Sequence, residues 1–408
     1  VVKDMNHVKE NTHCLACGSD AIETALDLGT QPLANAYKDA AREPEEQYPL
    51  AVSLCKYCFH LQLSHTVDPA IIYKNYLYAT GTNQTIQEYS EWFAAFCKEY
   101  IGDPQTVLDI GCNDGTQLNY FKQLGIKTFG VDPAENLYEK SSTHHRILCD
   151  FFGPEVVPKL NQVNYDIITA QNVCAHNPDP LAFLKSCREL MHDATALFIQ
   201  TSQADMVLND EFDTIYHEHV NFFNANSMRE LAKRAGLHLV DVVKTPIHGN
   251  SYIFVLSLHN LRPCHVDNII DMEGRHGLLT PATYKSWEAN VQSNVKDLVA
   301  VISQFQDKGY TVVGYGAAAK GNTLLNFSGI VLDFIIDDSP LKQGKFTPGT
   351  SCSIVSIKEL DKYTDQDRLL FVPLAWNFFA EIKNRIQAVR TNSNDRFVKY
   401  FPEVEVNK

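Results

Sequence analysis

TVLDIGCNDGTQLNYFKQLGIKTFGVDPA, residues 106–134, carries the signature of one half of a nucleoside-binding sheet. The apolar run ending at Ile110 reads as an interior strand, Gly111 to Gly115 as a tight turn, and QLNYFKQL as the helix that follows. TFGVD then reads as a second strand ending in Asp132. Strand, glycine turn, helix and an acid at the next strand end are what a doubly wound sheet uses to hold a nucleoside, the carboxylate accepting from ribose hydroxyls. A dinucleotide turn would read G-x-G-x-x-G, so that pyrophosphate meets backbone N–H groups and a helix dipole. Here it reads G-C-N-D-G, with Asp109 before it and Asp114 inside it. Two carboxylates repel phosphate, so the expected ligand is a nucleoside with a cationic amino group.

S-adenosylmethionine has that chemistry, and D-I-G-C-N-D-G resembles motif I of the class I methyltransferases. The resemblance continues in order: Asp132 and Pro133 at the ribose, Asp150 and Phe151 (in LCDFF) at the adenine, and YDIITAQNV, with Asn172, as the fourth strand. It implies that Asp109, Gly111, Asn113 and Gly115 complete the cofactor site. In such sheets chemistry occurs beyond the carboxyl ends of the strands. His176, in QNVCAH, is therefore expected to face the methyl donor, and DTIYHEHVNFF (213–223), after the strand ALFIQTS, to reach the same pocket.

With 408 residues the chain is expected to form several domains, and 45% hydrophobic residues suffice for their cores. No apolar run is long enough for a bilayer, and VVKDMNHVKE lacks the pattern of a signal peptide, so the expectation is a cytoplasmic protein without a membrane partner. The net charge of −14 has the wrong sign for gripping nucleic acid. Cysteine pairs occur at Cys14 and Cys17 and again at Cys55 and Cys58. Each C-x-x-C spacing aims two thiolates at one ion, and two of them complete a tetrahedral zinc site with no open position, hence a structural one. LDLGTQPLANAY and YPLAVSL are expected as the strands of this zinc ribbon.

Towards the C-terminus a helical stretch (284–309) precedes the strand TVVGYG and a second glycine turn, GYGAAAKGNTLLN. Backbone N–H groups, helix dipole and the Lys320 ammonium suit a pyrophosphate there, with Gly316, Ala317, Gly321 and Asn322 around it. Asp337, at a following strand end, Lys342, Trp376 and Asn377 are expected to contact the rest of that nucleotide.

The two C-x-x-C pairs, D-I-G-C-N-D-G, Y-H-E-H and GYGAAAKGN, in this order, resemble the sugar C-methyltransferases that act on nucleotide-linked 4-keto-deoxysugars. The resemblance implies an α/β chain with a zinc domain (1–80), a class I methyltransferase domain (81–260) and a second Rossmann-like, sugar-nucleotide domain (261–408). It implies His219 as general base, with Glu218, Tyr216 and His176 beside it and a zinc-domain tyrosine, Tyr76 or Tyr78, reaching in. Where family members carry a serine pair after these aromatics, this chain has Ala79 and Thr80. His217 and Asn221 are expected on the acceptor side with Tyr216. The implied acceptor is a nucleotide-diphospho-sugar, with thymidine diphosphate the family default and guanosine diphosphate the alternative, and a monomer is expected.

Residue chemistry agrees with that implication. Carbon becomes nucleophilic beside a ketone once an α-proton leaves; an imidazole with a pKa near 6.5 can take it, and neighbouring donors can hold the oxyanion. If Y-H-E-H is extended, His217 and His219 face one way and Tyr216 and Glu218 the other; a turn would relax this. The rival readings are an O- or N-methyltransferase of a small natural product and, from another class, a zinc-ribbon RNA-binding protein.

Overall fold

The computed structural model describes residues 7–72, 84–201, 204–245 and 251–407. Three main sheets follow one another along the chain. The first is antiparallel, with Ile22–Gln31, Tyr48–Cys55 and Leu61–Leu63 side by side. Its fourth strand is Asn221–Phe222, the end of the Y-H-E-H stretch, paired with Leu61–Leu63. PLANAY, expected to continue a ribbon strand, leaves the ladder at Pro32 and forms a loop. Proline cannot donate to the sheet, which ends the strand there.

The second sheet has seven strands, in the order His238–Thr245, Ser251–Ser257, Ala196–Thr201, Ile167–Gln171, Thr106–Ile110, Lys127–Asp132 and Arg146–Cys149. The five from Ala196–Thr201 to Arg146–Cys149 are parallel, and Ser251–Ser257 runs antiparallel to both of its neighbours. The quoted stretch behaves as read: strand to Ile110, turn, helix Thr116–Gln123, strand to Asp132. Its strand order reverses beside Thr106–Ile110, which opens a crevice at the carboxyl ends.

The third sheet orders Ile354–Val355, Phe334–Ile336, Thr311–Tyr315, Leu369–Pro373, Arg396–Lys399 and Glu405–Asn407, parallel except for the last. The long helix Pro281–Asp307 lies against it and against the zinc-side sheet, burying Trp287, Tyr284 and Val291. One apolar core therefore runs from Leu50 and Val52 through Ile215 and Trp287 to Val312 and Leu370. A second core joins Cys14, Cys55 and Cys58 to Leu108, Ile168 and Phe254 of the central sheet. Among the described residues no helix is long and apolar enough to cross a membrane.

Candidate active site

The cofactor end begins at the glycine turn. Gly111 has φ +73°, and a Cβ there would run into Val173, so only glycine fits. Asn113 (φ +49°) and Asn172 (φ +55°) occupy the left-handed region that asparagine tolerates. Asp132 pins the turn: one carboxylate oxygen accepts from Asn113 N–H and the other from Ala134 N–H, both at 2.8 Å. Each oxygen keeps a second lone pair for a ligand hydroxyl. Asp150 is paired with Lys159 at 2.9 Å, and the neighbouring Phe151 leaves 56% of its surface in water.

Asp109 and Asp114 do not form the bare pair of carboxylates expected to repel phosphate. Asp109 is buried, accepts from Thr169 Oγ1 at 2.7 Å, and desolvation raises its pKa to about 7. Asp114 is neutralised by Lys140 at 2.7 Å. Asp109 is buried beneath the turn and Asp114 is paired, which leaves Asp132, at the end of the next strand, as the acid suited to a nucleoside.

The Y-H-E-H run is a turn rather than a strand, closed by His219 N–H donating to the Tyr216 carbonyl at 2.9 Å. Tyr216 and His219 thereby come to one side, ring centroids 4.1 Å apart, and the His176 ring lies 5.0 Å from that of His219. His219 Nδ1 is 2.9 Å from the Thr214 carbonyl oxygen. A carbonyl only accepts, so Nδ1 carries the proton and Nε2 the lone pair. That lone pair meets the Tyr216 hydroxyl at 2.7 Å. Desolvation holds His176 at about 4, so its ring is neutral.

Other members of the run point elsewhere. His217 is buried against Tyr48, 3.4 Å from that residue's carbonyl. Asn221 is fully buried between the His60 ring (3.1 Å) and the Asn177 carbonyl (2.8 Å). Both were expected at the acceptor, yet Asn221 joins the zinc side to the central sheet and the His217 ring packs against the zinc side. Glu218, buried, accepts from Asn35 Nδ2 at 2.5 Å, and desolvation raises its pKa. The orienting partner of His219 is thus the Thr214 carbonyl and not Glu218. Tyr76 and Tyr78 lie outside the described residues.

In the third sheet Asp337 repeats the device of Asp132, accepting from Ala317 N–H (2.7 Å) and from Ser339 N–H (2.8 Å). Gly316 (φ +89°) forms the turn. Lys320 Nζ stands 5.2 Å from the Trp376 ring centroid, close to Asn377 in sequence. Lys342 donates to the Ala317 carbonyl at 2.7 Å and lies over the Tyr37 ring, whose hydroxyl donates to the same carbonyl. Two expected contacts are instead packing devices. A Cβ on Gly321 would come within 2.7 Å of Leu374, and the buried Asn322 donates to the Ala34 carbonyl at 2.6 Å. Asn35, Tyr37 and Thr214 were not singled out by the sequence; the loop carrying Asn35 and Tyr37 gave only the signal of a proline breaking a strand.

The four cysteine sulfurs lie within 4.8 Å of one another, with Cys14–Cys58 at 3.6 Å and Cys17–Cys55 at 3.5 Å. Ligands 2.3 Å from a tetrahedral zinc stand about 3.8 Å apart, so the set fits that ion. Backbone N–H groups of Cys17 and Tyr57 point at sulfurs of Cys14 and Cys55, which favours thiolates.

Three family matches cover nearly the whole chain in order: a zinc binding domain at residues 14–73, a methyltransferase domain at 82–242 and a C-methyltransferase C-terminal domain at 246–402. The C-methyltransferase NovU of Streptomyces niveus is 29% identical across 98% of this chain and 97% of its own length. These matches support the resemblance to the sugar C-methyltransferases that this chain's motifs carry. It is an S-adenosylmethionine-dependent methyltransferase with a structural zinc site. The ubiquinone biosynthesis O-methyltransferase of Coxiella burnetii is 26% identical over 37% of this C-methyltransferase and 71% of its own length. Among solved structures, the magnesium protoporphyrin IX methyltransferase ChlM of Synechocystis PCC 6803 superposes with a TM-score of 0.33 and 15% identity, over 42% of this chain and 79% of its own.

Proposed function

We propose that this C-methyltransferase methylates the carbon beside the ketone of a nucleotide-diphospho-4-keto-6-deoxysugar, at C-3, in branched-deoxysugar biosynthesis. One observation carries the reading: the Thr214 carbonyl locks His219 Nδ1, which leaves Nε2 as a base on the side shared with Tyr216 and His176. O- and N-methylation need no such base on carbon, because oxygen and nitrogen bring their own lone pairs.

S-adenosylmethionine supplies an electrophilic methyl group when bound. Gly111, Asn113, Gly115, Asp132 and Pro133 would hold its ribose end, with Asp150, Phe151 and Asn172 near the base. His219 Nε2 then takes the acceptor's α-proton: the C–H bond breaks, an N–H bond forms, and the electron pair moves onto the ketone oxygen. Tyr216, released from the lone pair it faced, turns its hydroxyl to that oxygen, and the neutral His176 ring offers a second N–H. The acceptor's diphosphate sits at the N-terminus of the helix Ala319–Ser328 with Lys320 beside it, a pairing of dipole and ammonium suited to phosphate. Thymidine diphosphate is the expected nucleotide and guanosine diphosphate the alternative.

The test is a panel of 4-keto sugar nucleotides with labelled methyl donor. Carbon NMR is expected to place the new methyl on a ring carbon, with solvent deuterium entering beside the ketone; a methyl on oxygen or nitrogen overturns the reading. His219→Asn is expected to abolish transfer while donor affinity, read by calorimetry, stays close to that of the parent.

A further inference from the structure

His219 takes its orientation from a backbone atom, and the residues on both sides of that atom are fastened to the C-terminal fold. The atom is the Thr214 carbonyl, 2.9 Å from Nδ1. Before it, Asp213 is fully buried; its Oδ2 accepts from Trp376 Nε1 at 2.8 Å and lies 3.5 Å from the Tyr400 hydroxyl, whose proton goes to the Leu374 carbonyl at 2.9 Å. After it, the Ile215 carbonyl accepts from Thr323 Oγ1 at 3.0 Å. Two residues earlier than Asp213, the Glu211 carbonyl accepts from Trp287 Nε1 at 3.0 Å. A helical threonine ordinarily turns its hydroxyl back to the carbonyl four residues earlier. Here that contact, to Ala319, is the longer one at 3.4 Å.

The fastening points are those of the acceptor site. Thr323 lies three residues after Lys320 on the same helix, hence on the same face, and Trp376 carries the Lys320 ammonium 5.2 Å from its ring centroid. The second half of the loop is held differently, with His217, Glu218 and Asn221 bound to Tyr48, Asn35 and His60 on the zinc side. The base therefore hangs from the strap 213–215, and the strap from the helix and indole that flank the acceptor's diphosphate.

We propose that Asp213 and Thr323 are positioning residues, which set the His219 ring from the acceptor site through the Thr214 carbonyl. The inference rests on the proposed reading of His219 as base and of Lys320 as diphosphate anchor. Asp213 and Thr323 have 0% and 1% of their surface exposed, so they act through the strap and not on the acceptor. A base displaced by a fraction of an ångström loses rate without losing affinity, since the acceptor's binding contacts are made elsewhere.

The proton-transfer step can be read alone. The full chain is incubated in D₂O with a 4-keto-6-deoxysugar nucleotide and S-adenosylhomocysteine, and exchange of the α-hydrogen is followed by NMR beside kcat and KM for methyl transfer. Thr323→Val keeps the shape and removes the hydroxyl; exchange and kcat are expected to fall roughly 10- to 100-fold. Acceptor KM and donor affinity are expected to hold, and Thr323→Ser to restore most of the rate. Asp213→Asn, which keeps an oxygen for the indole N–H, is expected to lose less than Asp213→Ala. Full exchange in Thr323→Val, or a joint loss of KM and kcat that serine does not rescue, overturns the inference while leaving the base assignment intact. If the parent chain exchanges no α-hydrogen, the base reading falls and the inference falls with it.

Discussion

Four consecutive side chains, Tyr216 to His219, are divided by one turn into two jobs. Tyr216 and His219 share a 2.7 Å hydrogen bond on the side of His176, where the reaction is proposed, whereas His217 and Glu218 are bound into the zinc side. Removing one oxyanion donor typically costs about 3 kcal/mol of transition-state stabilisation, so Tyr216→Phe should lower kcat on the order of 10²-fold in initial-rate assays. His217 belongs to stability instead. Burial holds its ring at about 4, against 6.5 in the unfolded chain. Between those values the unfolded chain takes up a proton that the folded one refuses; the contribution is complete above pH 6.5 and is lost as pH falls towards 4. His217→Gln should flatten that acid limb of stability, measured by denaturant unfolding at each pH, by up to about 1.4 kcal/mol per pH unit. An unchanged slope would show that the ring is not kept neutral.

Each Rossmann-like sheet ties its glycine turn to the acid at the next strand end, Asp132 in one and Asp337 in the other. The turn is a rigid element because backbone conformation and packing agree. Gly111→Ala should both strain a positive φ and push Val173 aside, lowering thermal stability and weakening donor binding in calorimetry. Gly29→Ala is the matched control: its φ is +76° but nothing lies within 4 Å of the added Cβ, so only the left-handed penalty of about 1–2 kcal/mol is expected, with donor affinity unchanged. This half of the site was legible because strand, turn and acid are local in sequence. The electrostatics were not: Lys140 reaches Asp114 from the helix Glu135–Ser142, beyond the second strand, and no periodicity announces an ion pair.

At the scale of the molecule, the four-sulfur site is tied through the fold to the loop that carries Y-H-E-H. The second knuckle is held by Asn224 and Asn226, which donate to the carbonyls of Phe59 and Cys58, and the first by Arg234, which donates to that of Ala16. The strand between knuckle and active loop, Leu61–Leu63, pairs directly with Asn221–Phe222. Cys14→Ser should therefore lower zinc content by metal analysis, reduce thermal stability and cost methyl transfer. A variant with unchanged metal, melting and rate would contradict that coupling. Residue order by itself determined the strand–turn–acid units of the two Rossmann-like sheets and the zinc knuckles, because each is short-range geometry written in glycines, C-x-x-C pairs and apolar runs. Only tertiary structure decided which members of Y-H-E-H share a side with His176 and what holds the others. Asn35 meets Glu218 across 183 residues and Asn322 meets Ala34 across 288, and a hydrogen bond closed by folding at that distance leaves no pattern in the chain that makes it.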